Sequence, residues 1–190
     1  MKDSPLLRLF LLLVFVSSLP FLFSSCSKTS KDSVMLLDFE DPYKLSGLVW
    51  QCKVDYKINM LHATHGLYCL EVDFYPSRQP EFKTGAFNDL FHDWHGYKWL
   101  LLDIFNPQDR AIRLFFTIDD HDHNYPWIDK ANGNILLHPG INHVKIYLLR
   151  LNSPGALTRL NLDYVASIAF FLKHPKRKVV LFFDNIRIKR

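Results

Sequence analysis

From about Val34 onward the chain switches between apolar and polar residues with a period of two, and that pattern leaves extended strands as its regular structure. Successive side chains of a strand point to opposite faces, so each run builds one greasy face and one mixed face. The cleanest case sets Tyr68, Leu70, Val72 and Phe74 against Cys69, Glu71 and Asp73. Strands are expected at 34–39, 49–59, 68–74, 84–91, 98–105, 111–119, 142–149, 165–172 and 179–188. Turn residues such as Gly66, Gly96, Pro107 and Pro139-Gly140 separate them, and no long amphipathic helix intervenes. The expectation is an all-β domain, a jelly-roll β-sandwich of two antiparallel sheets, spanning 34–190.

Two central runs set the expected core. Leu100, Leu102 and Ile104 share one face, as do Ile112, Leu114, Phe116 and Ile118 on the next run. The opposite faces carry Trp99, Leu101, Asp103 and Phe105, then Arg113, Phe115, Thr117 and Asp119. That mixture of aromatic and charged groups suits neither a dry interior nor a plain wet surface, so a ligand is expected there. The two runs are read as neighbouring strands, which puts Asp103 and Arg113 within reach of an ion pair; the bolder alternative gives Arg113 to a charged sugar.

The first residues differ in kind. Lys2 and Arg8 precede an uncharged apolar stretch, Leu9 to Phe23, which is 15 residues long and broken by Ser17, Ser18 and Pro20. A spanning helix needs about 20 apolar residues, so this reads as a secretory leader rather than an anchor. It ends in Leu22-Phe23-Ser24-Ser25-Cys26, which resembles a bacterial lipobox, with Phe23 in place of the usual Leu. The resemblance implies cleavage after residue 25, lipidation of Cys26, a flexible tether over 26–33 and an exported, membrane-anchored protein of the cell envelope. Ser27 is compatible with the outer membrane or cell surface. Several acyl chains on one Cys would hold it there, at about 0.8 kcal/mol per buried CH₂. The alternative is an ordinary cleaved leader that happens to end near a Cys.

Removing the leader takes away Lys2, Arg8 and Asp3, so the formal charge falls from +4 to +3. So weak and scattered a charge gives no reason to expect nucleic acid. The basic tail, Lys173, Lys176, Arg177 and Lys178, then Arg187, Lys189 and Arg190, reads as a solvated edge. Cys52 and Cys69 have opposite parity, one toward the core with Val54 and one toward solvent with Glu71, so no disulfide between them is expected.

Several stretches together resemble the galactose-binding-domain-like jelly rolls, a superfamily that includes many carbohydrate-binding modules. In order these are Asp38-Phe39-Glu40, Trp50, Thr64-His65-Gly66 before Tyr68-Cys69-Leu70-Glu71-Val72, Gly96-Tyr97-Lys98, Asp103-Ile104-Phe105-Asn106-Pro107, Pro139-Gly140-Ile141-Asn142 and Phe183-Asp184-Asn185-Ile186-Arg187. The resemblance implies non-catalytic binding of a polysaccharide or glycan. It also implies a structural calcium held by Glu40, with Asp38 or Asp41 as competitor, by Asp184 and by carbonyls around Gly66. Ca²⁺ accepts about six to eight oxygens in flexible geometry, so such a set is chemically reasonable. The plain alternative is that Asp38 and Asp184 simply end their strands with bonds to backbone.

Sugar recognition needs a flat aromatic for the apolar ring face and paired donors and acceptors for the hydroxyl edge. The polar excursion Asp119-Asp120-His121-Asp122-His123-Asn124-Tyr125-Pro126-Trp127 offers both. Trp127 is the first choice of platform, followed by Tyr125 and Trp94, with Trp99 equally suited to filling an edge. Asp119, Asp120, His121, His123 and Arg113 are the expected polar contacts. His121 and His123 also fit a transition-metal pair by spacing, although a third ligand is hard to find and a solvated loop explains them as well.

Catalytic signatures are missing from the sequence: no G-x-S-x-G elbow, phosphate loop or H-E-x-x-H occurs. Two other functions stay open. One is an envelope scaffolding or protein-interaction lipoprotein; the other is a polysaccharide lyase or hydrolase using Tyr125 with His121 or His123.

Overall fold

The computed structural model describes residues 32–41, 48–51, 53–84, 92–120, 130–153 and 158–190. The leader, Cys26, Cys52 and the 121–129 segment with His121, His123, Tyr125 and Trp127 lie outside the described residues.

In chain order the strands are β1 (Ser33–Leu37), β2 (Leu48–Gln51), β3 (Val54–Asn59), β4 (Cys69–Phe74), β5 (Glu81–Thr84), β6 (Trp99–Asn106) and β7 (Ile112–Asp119). They continue as β8 (Ala131–Leu137), β9 (Gly140–Tyr147), the short pair β10 (Asn152–Ser153) and β11 (Thr158–Arg159), β12 (Ser167–Phe171) and β13 (Val179–Lys189). One sheet runs β3-β4-β13-β6-β9, with β1 also paired to β13; the other runs β2-β5-β12-β7-β8. Every pairing is antiparallel. These are the two layers of a β-sandwich, and among the described residues there is no α-helix.

Alternation does build the core. Leu100, Leu102 and Ile104 from β6 meet Ile112, Leu114, Phe116 and Ile118 from β7 in one buried cluster. At its centre the rings of Phe82 and Phe183 meet edge to face with centroids 4.9 Å apart, and Phe170 lies 5.4 Å from Phe82. Such ring pairs add about 0.5–1.5 kcal/mol each beyond the area they bury. Phe116 sits opposite Gly133 on β8, where a Cβ would collide with its ring, so the glycine makes room for the aromatic.

Four expectations are corrected. The run 49–59 is two strands in different sheets, because Lys53 takes φ 69° and the chain crosses from β2 to β3 there. Likewise β6 and β7 are not neighbours. The turn after Asn106 carries the chain between sheets, so Asp103 and Arg113 lie on opposite outer faces and make no ion pair. Strand β8 is an addition, since no strand is expected between the runs 111–119 and 142–149. Cys69 follows its outward parity yet is fully buried, because the 60–68 turn covers it and its thiol donates to the Leu61 carbonyl at 2.9 Å. It is a free thiol, pushed up to about 12 by burial first and then by the charges of Asp184 and Glu71.

One irregularity shapes the first sheet. The register of β13 on β6 shifts between Asp184 and Arg187, and Asn185 at φ 55° absorbs the extra residue as a bulge. Phe183 and Ile186, three apart, can therefore both face the core. Asp184 and Asn185 are left to turn toward the chain segments that cover the outer surface.

Candidate functional site

The outer face of the second sheet is set by register. Phe115 on β7 stands between Asn134 on β8 and Phe171 on β12, and Phe171 stands beside Glu81 on β5. The Phe115 and Phe171 rings stack with centroids 5.6 Å apart and planes 20° from parallel. Phe171 is buried, while Phe115 is only partly covered and so offers the apolar surface of the pair. Arg113, one outward position along β7, is exposed and donates from Nη1 to Asn134 Oδ1 at 2.7 Å. Lys173 places its ammonium 4.3 Å from the Phe115 centroid. A hollow of about 350 Å³ opens beside Phe115, between the turn after β6 and the turn after β12.

The other end of β7 is closed. Asp119 is 5 % exposed and pairs with Lys130 at 2.5 Å and with Lys83 at 3.9 Å. Asp120 is 6 % exposed and accepts the Asn161 N–H at 2.6 Å. These two carboxylates, expected as sugar contacts, thus brace the strand end where the 121–129 segment departs. Trp94 is corrected more firmly. It is 2 % exposed within the core cluster, so its ring has no open face for a ligand. Of the expected contacts, Arg113 alone lies open on this face among the described residues. Asn134, Phe171 and Lys173 were missed: Asn134 sits in the strand that was not expected, and β12, with all five residues buried, shows no alternation to reveal a face.

No protein-family model matches the sequence. No curated protein matches it. Solved structures do. The family 11 carbohydrate-binding module from Clostridium thermocellum, in complex with a β-1,3-1,4-mixed-linked tetrasaccharide, superposes with TM-score 0.65 at 18 % identity, over 83 % of this chain and 95 % of the module. The fold is that of the carbohydrate-binding-module jelly rolls. A family 30 carbohydrate-binding module of a cellulosomal cellulase from the same organism matches with TM-score 0.58 at 12 % identity, over 83 % of this chain and 96 % of the module. An exo-β-agarase matches with TM-score 0.64 at 16 % identity, but this chain spans only 24 % of that enzyme.

Within the jelly roll, the carboxylates expected to hold calcium face hydrogen-bond donors. Glu40 Oε1 accepts the Leu67 and Tyr68 N–H groups, both at 2.8 Å. Asp184 Oδ2 accepts those of Thr64 at 2.6 Å and His65 at 2.8 Å, and Asp184 Oδ1 accepts that of Asn185 at 2.6 Å. Asp38 Oδ1 accepts the Glu40 N–H at 3.3 Å. Gly66, at φ 66°, presses against the Glu40 carboxyl, leaving no space for a Cβ. N–H groups present partial positive charge, and among the described residues no three His, Cys, Asp or Glu side chains are placed to hold a metal ion together. As placed, these residues do not fit a calcium ion; they clamp the 64–68 turn.

The outer face of the jelly roll's first sheet holds a second hollow, of about 520 Å³, lined by Thr64, Leu101, Asp103, His143, Lys145 and Arg187 among others. Asp103 is 7 % exposed and is held by Thr64 Oγ1 and Asn185 Nδ2, each 2.8 Å from Oδ2, and by His143 Nδ1 at 2.7 Å from Oδ1. Burial pushes the Asp103 carboxyl up, but the bonds from Asn185, His143 and Thr64 together outweigh it, and the net shift is downward. The Asp103 carboxylate is satisfied by these donors, as in a structural network, although the buried Asn185 Oδ1 accepts no hydrogen bond from the described residues.

Proposed function

We propose that this jelly roll binds carbohydrate without cleaving it, on the outer face of the second sheet around Phe115. The observation that carries the reading is the half-buried Phe115 ring, held flat by its stack on Phe171, flanked by Arg113 and Asn134 and covered only by the exposed, displaceable Lys173 side chain among the described residues. A pyranose presents an apolar face that packs on such a ring, and hydroxyls at its rim that need donors and acceptors. A ring already fixed by packing loses little freedom when a ligand arrives. The relatives in fold include modules that carry carbohydrate-binding names and one bound to a tetrasaccharide, which supports the reading.

Tyr125 and Trp127, with His121 and His123, are proposed to extend this surface, since their segment joins β7 to β8, the strands that bear Phe115 and Asn134. Cys26 is proposed to carry a lipid that tethers the domain to the cell envelope. A Cys26→Ser chain that still partitions into detergent and incorporates labelled fatty acid would remove that part.

The test is electrophoresis of the full chain through gels containing a neutral polymer (mixed-linked β-glucan, agarose or xyloglucan) or an anionic one (alginate or κ-carrageenan). Retardation by at least one glycan is expected, with Phe115→Ala weakening it about tenfold, equivalent to about 1.4 kcal/mol. Unchanged retardation in Phe115→Ala, or none with any glycan, would remove the reading.

A further inference from the structure

The hollow beside Phe115 has a one-sided charge. Arg110, Arg113, Lys173 and Lys176 all line it, and among the described residues no carboxylate does. All four are exposed. Glu81 lies on the same sheet face but on the far side of Phe171, where its Oε2 accepts from Gln79 Nε2 at 3.3 Å. The cations come from three places in the sequence: the turn after β6, strand β7 and the turn after β12. Their convergence is therefore a product of the fold and not of one basic run. It gathers part of the basic tail into a wall around an aromatic floor.

Four positive groups around one concavity raise the local potential and attract an anion, most strongly at low ionic strength. Guanidinium groups suit planar or tetrahedral oxyanions because their donors are fixed in a fork. Phe115 supplies the complementary apolar surface, and the exposed Lys173 side chain, whose ammonium lies over that ring 4.3 Å from its centroid, uncovers it by swinging aside to meet the anion. From this we infer that the ligand of the Phe115 face is an anionic saccharide, whose carboxylate or sulfate sits among Arg110, Arg113, Lys173 and Lys176 while its ring packs on Phe115. The inference rests on the carbohydrate-binding reading and narrows it to a substrate class.

The test compares binding of the full chain to alginate, which carries carboxylates, to κ-carrageenan, which carries sulfates, and to neutral mixed-linked β-glucan and agarose. At least one of the two anionic polymers should bind about tenfold or more tighter than either neutral one at 50 mM salt. That preference should shrink about tenfold by 300 mM, where screening is shorter-ranged. Arg113→Ala/Lys173→Ala should abolish the preference. Lys145→Ala/Arg187→Ala, which removes the same charge from the first sheet, should preserve it. Loss of preference in the second variant and not the first would overturn the inference. Equal binding of neutral and anionic polymers would overturn it too, while leaving the carbohydrate reading intact. Binding to phosphatidylglycerol vesicles but to none of the polysaccharides would overturn both, and would assign the cationic hollow to a lipid surface.

Discussion

The contact between Gly66 and Glu40 gives a quantitative handle on what holds the turn that closes the first sheet. Glu40 Oε1 accepts two backbone N–H groups, from Leu67 and Tyr68. Bonds to a charged group contribute about 1.5–3 kcal/mol each, and Leu67 is exposed enough to bond water instead, so Glu40→Ala should lose about 3 kcal/mol. Gly66→Ala adds a left-handed penalty of about 1–2 kcal/mol. It also puts a Cβ into the Glu40 carboxyl, which must leave and forfeit the same bonds, for a total near 4–5 kcal/mol. In the double variant the collision is gone, so only the backbone penalty adds to the loss of Glu40, again near 4–5 kcal/mol. The single effects should therefore overshoot the double by about 3 kcal/mol, measured by urea unfolding of all four chains. Additivity to within about 0.5 kcal/mol would refute the argument that this carboxylate is seated on Gly66.

Two further outcomes follow from the buried carboxylates. Asp103 has a folded pKa below its ordinary 3.8, so its bonds contribute fully above that pH; below it the unfolded chain takes up the proton first, and stability falls as pH drops through the folded value. Asp103→Asn should flatten part of that acid loss in thermal unfolding, and an unchanged profile would show that the network does not stabilise the carboxylate. Because N–H donors already face Glu40 and Asp184, adding calcium after chelation should leave the unfolding midpoint in place. A rise of several degrees would show that the 64–68 turn rearranges to ligate the ion.

Much of the sandwich is legible in the sequence because alternation is a direct consequence of strand geometry. Parity alone assigns faces along Tyr68 to Phe74 and Leu100 to Ile104, and Leu70, Val72, Phe74, Leu100, Leu102 and Ile104 are all buried in the core. What alternation cannot say is which sheet a strand joins. The pair β6 and β7 reads as a hairpin, yet the turn between them changes layers, which separates Asp103 from Arg113 and divides one expected ligand face into two. Residues buried from both sides are opaque for a related reason. Ser167 to Phe171 shows no period, so Phe171 gives no hint that it supports Phe115. Trp94 misleads because a polar neighbourhood, Asp93 and His95, surrounds a ring that the fold turns inward. The clamp residues Glu40 and Asp184 stand out by resemblance, although the bonds they make are to backbone N–H groups.

The central claim is that the Phe115 face receives a saccharide. Its most direct measurement is a ¹H–¹⁵N titration of the full chain with an oligosaccharide from whichever polymer retards it, followed residue by residue. The account predicts saturable shifts at the amides of Arg113, Phe115, Asn134 and Lys173, with Leu101, Asp103 and His143 on the opposite face undisturbed. Shifts confined to the Asp103 side, or none while the oligosaccharide still binds elsewhere, would contradict it.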